Sequence, residues 1–210
     1  MQFLFALATG RLMWPTYRPV HAMPFTPPAA LSSHRLTLRL VEECDLADLL
    51  TINGDDAVTR YLPYSSWKNL EDGRAWLRRM QTLMAQGDTL QFVIVERASR
   101  RVIGSCLLFR LDAGSSRAEI GYVMGHACWR QGFCAEALRL LVAHAFDEMP
   151  AGQGLRRLEA QVDADNTASN ALLAKIGFHR EGILRERWIS HGQPVDTMFH
   201  GLLQREWQPR

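Results

Sequence analysis

The sequence predicts a mixed α/β fold of the α+β kind, built as one domain over residues 34–210. Three observations point there. Leu36, Leu38 and Leu40 alternate with Thr37 and Arg39, the two-residue period of a half-buried strand. Leu138, Leu141, Val142, Ala145 and Phe146 recur at the helical period and form one buried stripe. Around these, apolar runs and helical stripes follow the order β-α-α-β-β-β-α-β-α-β-β, with no internal repeat.

Taken in order, the strand at 35–43 is followed by a helix with Leu46, Leu49, Leu50 and Ile52 on one face. That helix starts behind Asp45 and stops at Gly54. Leu70, Trp76, Leu77, Met80, Leu83 and Met84 mark a second helix that closes on Gly87. Two apolar runs over 90–111 flank the charged turn Glu96–Arg101, which reads as a hairpin. A third short strand, "RAEIGYVM", precedes the helix of the buried stripe. The strand "LRRLEAQVDADN" leads to a helix over "TASNALLAKIGF", with Asn166 or Thr167 at its N-cap and Gly177 as its stop. "HREGILRERWI", the turn "SHGQP" and "VDTMFHGLLQREW" make a closing hairpin.

Composition narrows the class. Of 210 residues, 47% are hydrophobic and 22% charged, ordinary for a soluble globular chain with a sizeable core. A net charge of +2 is too small to suggest a nucleic-acid partner. Cys44, Cys106, Cys128 and Cys134 have neither zinc nor disulfide spacing, and the histidines form no ligand pattern. The expectation is a reduced, cytoplasmic, metal-free protein with no membrane partner, acting as a monomer or homodimer. Residues 1–33 stand apart. "MQFLFALATG" is too short to span a bilayer and lacks the basic start and cleavage site of a signal peptide. The proline-rich run after it has no apolar period. Residues 1–33 read as a poorly ordered extension outside the fold.

The chemistry starts at "YVMGHACWRQGFCAEAL", where a strand meets a helix through a polar turn with one internal glycine. A helix N-terminus leaves backbone N–H groups unpaired and carries partial positive charge, and glycine permits close approach of a ligand. Gln131, Gly132, Phe133, Cys134 and Ala135 therefore form a candidate phosphate cradle, with Arg130 beside it. The turn lacks the Gly-Lys-Ser/Thr of a P-loop and the dinucleotide glycine pattern. On these residues alone a plain strand-to-helix turn is the favoured reading.

The motifs around the turn decide more. The chain reads "AEIGY", then "WRQGFCAEAL", "NTAS", "GFHREGILR" and "GQPVD". It resembles the GNAT N-acetyltransferases, and within them the Rim-type branch that acetylates protein N-terminal amines. That branch reads A-E-I-G-Y, W-G-x-G-Y-A-x-E-A-L, N-x-x-S, G-F-x-x-E-G-x-x-R and G-x-x-x-D. The resemblance covers about residues 35–207. It departs at Arg130, where the family has its first glycine, and at Cys134, where it has Gly or Ala. It implies a central twisted, mostly antiparallel sheet of six to seven strands with a V-shaped splay, flanked by about four helices. It also implies acetyl-coenzyme A as cosubstrate and a primary amine as acceptor. The favoured acceptor is a protein N-terminus. The alternatives are a small amine (polyamine, amino sugar or antibiotic) and, from another class, a non-catalytic coenzyme A-binding protein.

Roles follow from the resemblance, each beside a plainer one. Glu119 is the candidate base, partly buried so that its pKa would be raised; the plainer role is an edge carboxylate paired with Arg117 or another cation. Ser169 is the candidate proton donor to the leaving thiolate, with Tyr122 its rival; either side chain otherwise only packs or satisfies local backbone. The amides of Val123 and Met124 are implied to align the pantetheine arm, Asn166 to contact it while capping its helix, and Lys175 to face the adenine end. Glu136 complements the helix dipole, and Trp67, Trp76 and Trp188 are expected in the core.

Overall fold

In the computed structural model, which describes residues 25–190 and 192–209, the alternating leucines of the first long strand lie against the main core. Leu36 and Leu38 are fully buried within it. That strand, β2 (Leu36–Leu40), is preceded by a short β1 (Leu31–Ser32). The remaining strands are β3 (Leu90–Glu96), β4 (Val102–Asp112), β5 (Arg117–Met124), β6 (Arg157–Asp163), β7 (His179–Ser190) and β8 (Gln193–Leu203). They form one sheet of 8 strands in the order β1-β2-β3-β4-β5-β6-β8-β7. Neighbours are antiparallel except β5 and β6, which run parallel. Glu96 and Arg101 close the expected β3–β4 hairpin through Glu96 N to Arg101 O at 3.0 Å.

The helices are α1 (Leu46–Asn53), α2 (Asp56–Thr59), α3 (Leu70–Ala85), α4 (Phe133–Phe146) and α5 (Thr167–Ile176). Strand and helix numbers each exceed the expectation by a short element. β1 has only two residues, and α2 is a single turn capped by Asp55, whose Oδ1 accepts from Ala57 N at 2.8 Å. Neither is long enough to show a period. α3 begins at Leu70, the first residue of its apolar pattern, where Asn69 and Asp72 form a capping box.

The sheet separates two cores. α4 lays Leu138, Leu141, Val142 and Ala145, all fully buried, on the core that also holds α5 residue Leu173. The other face packs α1 and α3 through Leu49 and Leu77, with the Trp67 and Trp76 rings tilted against each other at 5.5 Å.

One expected boundary moves. Residues 25–33 belong to the fold. Phe25 is 6% exposed in the main core, Phe25 N donates to Gly87 O at 3.1 Å, and β1 pairs with β2. A lone phenylalanine among prolines has no period to reveal its burial. The earlier part of the expected extension lies outside the described residues.

Candidate active site

Parallel pairing between β5 and β6 lasts for three positions only, ending at Glu119 with Glu159. Beyond it β5 stays paired with β4 up to Met124, and β6 stays paired with β8 along its whole length. Two strands that part inside one sheet leave a wedge between them. That wedge is a cleft of about 710 Å³, lined among others by Glu119, Tyr122, Gln161, Asn166 and Ser169. Val123 and Met124 lie on the stretch of β5 that has lost its partner on the β6 side.

Glu119 is buried, 6% exposed, at the root of the wedge. Arg110 Nη1 donates to both its oxygens, at 2.9 and 3.2 Å, and Gln161 Nε2 donates to both at 3.3 Å. A buried carboxylate needs such donors. Arg117, the partner anticipated from sequence, instead bonds Glu159 and Asp112. The Oε1 of Gln161 is itself buried without a hydrogen-bond partner among the described residues.

The two candidate donors line the same cleft, Tyr122 further along β5 from Glu119 and Ser169 on α5. Tyr122 Oη and Ser169 Oγ are 2.6 Å apart, so they act as one hydrogen-bonded pair. Burial pushes the Tyr122 phenol well above its ordinary value, and the Ser169 hydrogen bond only partly opposes this. The phenol therefore keeps its proton across the working pH range. Asn166 does cap α5, its Oδ1 accepting from Ser169 N at 3.1 Å, and it also lines the cleft.

At the head of α4, Gly132 is the N-cap with φ 81° and gives no side-chain cap. The first helical bond there is Glu136 N to Gly132 O at 3.1 Å, which leaves the amides of Phe133, Cys134 and Ala135 as donors without a partner among the described residues. Arg130 also adopts a left-handed φ of 61°, which explains why glycine suits that position. The Arg130 and Gln131 side chains are exposed, and Gln131 Nε2 donates to Ala127 O at 2.7 Å. The Cys134 thiol is pushed up to about 12 by burial, so no thiolate nucleophile is available there.

A family model described as Acetyltransferase (GNAT) domain matches residues 35–179. The chain belongs to this family. It is accordingly an acetyl-coenzyme A-dependent acyltransferase. An uncharacterized N-acetyltransferase, p20 of Bacillus licheniformis, is 33% identical, over 84% of this chain and 97% of its own. The [ribosomal protein uS5]-alanine N-acetyltransferase of Escherichia coli (strain K12) is 26% identical, over 87% of this chain and 95% of its own. A spermidine N-acetyltransferase from Vibrio cholerae, solved with CoA and spermine, shares the fold at a TM-score of 0.71. It is 20% identical and covers 83% of this chain and 98% of its own.

Within this GNAT chain the expected residues divide between two places. Glu119, Tyr122, Ser169 and Asn166 gather in the cleft. Gly132, Ala135 and Lys175 line a separate groove along α4, so Lys175 is not among the cleft residues. Glu136 does more than face the dipole. It binds Ser33 Oγ at 2.6 Å and Arg35 Nε at 2.7 Å; burial raises its pKa, but these donors outweigh that and lower it. Trp188, expected in the core, is 44% exposed and lines the cleft. Arg35 was missed by sequence reasoning. It spans the α4 head, Nη1 donating to Gln131 O at 3.2 Å with its guanidinium 4.4 Å over Phe133. Arg110 was missed too, although the turn between β4 and β5 sets Phe109 opposite Glu119 and so brings its neighbour near.

Proposed function

We propose that this GNAT enzyme acetylates the N-terminal α-amine of a protein, by direct attack within a ternary complex in the cytoplasm. The observation that carries this reading is the charge of the cleft. Its charged lining residues are Arg110, Glu119 and Asp163, and Arg110 already neutralises Glu119. A polyamine, with several ammonium groups, finds too little negative charge there to offset its desolvation. Exposed apolar groups at the cleft, Trp188 and Ile189, suit a polypeptide acceptor. The E. coli relative named for uS5 alanine acetylation is consistent with it.

The residues present fit the coenzyme. Uncapped amides of Phe133, Cys134 and Ala135 at a helix N-terminus, behind two left-handed residues, would hold its pyrophosphate. The β6-facing edge of Val123 and Met124 would align its pantetheine arm, with Asn166 at the cleft wall and Lys175 toward the adenine end. Acetyl-coenzyme A supplies an activated acetyl thioester when bound. Glu119 takes the proton of the acceptor amine, directly or through a water, and its ion pair with Arg110 holds the carboxylate in place. The Tyr122–Ser169 pair returns a proton to the departing thiolate. The demand on the base is modest, because an α-amine titrates near pH ~8 against ~10.4 for lysine.

The test is acetyl transfer to alanyl peptides and to spermidine by wild type and Glu119→Gln. Peptides should be modified, and the variant should bind coenzyme normally yet lose about 10²-fold or more in kcat. The loss should be greatest at neutral pH and below, where the amine is protonated. A spermidine-only wild type would overturn the acceptor, and an unchanged pH–rate profile would remove Glu119 as base.

A further inference from the structure

Arg110 sits where β4 loses register with β5, between Phe109 and Asp112, and holds a left-handed φ of 53°. This conformation disfavours a side-chain-bearing residue, so the turn aims its guanidinium at some backbone expense. The guanidinium lies 5.5 Å from the Phe109 ring centroid and 5.9 Å from that of Trp188. It reaches Glu119 through Nη1 alone; Nε and Nη2 have no protein acceptor among the described residues. Its side chain is 49% exposed, whereas that of Glu119 is 8% exposed. The cleft therefore offers, side by side, a carboxylate that accepts N–H and a guanidinium fork with spare donors for an oxygen.

We propose that Arg110 determines acceptor specificity, binding the carbonyl oxygen next to the reacting amine and turning away polycations. The inference rests on the reading of Glu119 as the amine-facing group. An α-aminoacyl group carries its nitrogen and its carbonyl oxygen on adjacent carbons, which matches the adjacency of Glu119 and Arg110. A diamine or polyamine brings no oxygen for the fork and sets another ammonium against the guanidinium. Arg suits this task better than Lys, since its planar donors meet an oxygen while one nitrogen stays on the carboxylate.

Two acceptors of one skeleton isolate the effect: alaninamide, and 1,2-diaminopropane, in which an aminomethyl group replaces the carboxamide. An alanyl peptide is run beside them, and kcat and KM are measured for wild type, Arg110→Gln and Arg110→Lys. Wild type should prefer alaninamide. Arg110→Gln should lose about 10- to 150-fold in kcat/KM on alaninamide, mostly in KM, the worth of a charge-assisted hydrogen bond. On the diamine the same variant should lose only what the weaker hold on Glu119 costs, so that the preference of alaninamide over the diamine falls. Arg110→Lys keeps the cation beside Glu119, so it should still reject the diamine while losing affinity for alaninamide. Equal losses on both acceptors would reduce Arg110 to a support for Glu119 and overturn the proposal, as would no loss on either. Wild-type activity on alaninamide but not on the peptide would sink the protein N-terminus reading and leave Arg110 standing. Peptide turnover that Arg110→Gln does not alter would do the reverse.

Discussion

Replacing Gly132 by alanine separates the coenzyme cradle from a plain helix start, because the two roles have different magnitudes. An L-residue held at φ 81° costs about 1–2 kcal/mol. Little steric cost is added, since the nearest neighbour of a new Cβ is Arg35 Nη2 at 3.5 Å. For a chain of this length each kcal/mol moves Tm by about 2–4 °C, so the free variant should melt about 2–8 °C lower. Wild type with acetyl-coenzyme A at ~100 times its Kd should gain about 2.7 kcal/mol, or roughly 5–10 °C. If alanine relaxes toward negative φ, the amides of Phe133 and Cys134 are re-aimed. Losing two hydrogen bonds of ~1 kcal/mol each is a ~30-fold loss in affinity. At the same coenzyme concentration only about 0.9 kcal/mol would then remain, a rise of about 2–4 °C. Differential scanning fluorimetry reads all four melting points. A variant that melts with wild type, its turn having relaxed to negative φ, and still keeps the full coenzyme shift would refute the cradle, because the coenzyme would then sit elsewhere.

The remaining predictions concern the donor pair and the start of the fold. Tyr122→Phe and Ser169→Ala should each lower kcat by about 10-fold or more, and the double variant should fall no further than the worse single one, since the two oxygens share a 2.6 Å bond; additive losses in stopped-flow rates would mean separate roles. Because burial raises the Tyr122 phenol, its deprotonation should contribute no alkaline fall in kcat up to about pH 10, its ordinary value; a fall that vanishes in Tyr122→Phe would contradict this. A chain starting at Phe25 keeps every described residue and sets the reference Tm. Removing 1–33 should lower it by roughly 5 °C or more, since burial of Phe25 alone is worth about 2–3 kcal/mol; equal melting points for the two truncations would show that the Phe25 contact is energetically idle.

Much of the architecture was legible because it is periodic. The leucines of β2 and the stripe of α4 repeat at their own element's spacing, and Asn166 and Gly177 bracket α5 by the chemistry of caps. The elements missed were β1 and α2, too short to carry a period. Glu119, Tyr122, Ser169 and the turn at Gly132 were legible as motif residues, each in a fixed local frame of strand, helix head or turn. Phe25 and Trp188 were misjudged for opposite reasons. Phe25 stands alone between prolines yet is buried by Gly87 and the main core. Trp188 sits in β7, an edge strand exposed along nearly its whole length, and it lines the cleft instead of a core.

By itself the sequence determined the order of elements, the helix head with its uncapped amides, and the residue types that acetyl transfer requires. These are local consequences of side-chain period, capping and backbone freedom. The tertiary structure decided everything that depends on where strands stop pairing. β5 and β6 part after Glu119, and that divergence opens the cleft. It brings Tyr122 within 2.6 Å of Ser169, from 47 residues away, and presses Gln161 and Arg110 onto Glu119. A parallel pair has no connecting turn to set its register. The end of pairing is fixed by the packing of α4 and α5 on one face and by the β8 partner of β6, which no local pattern records.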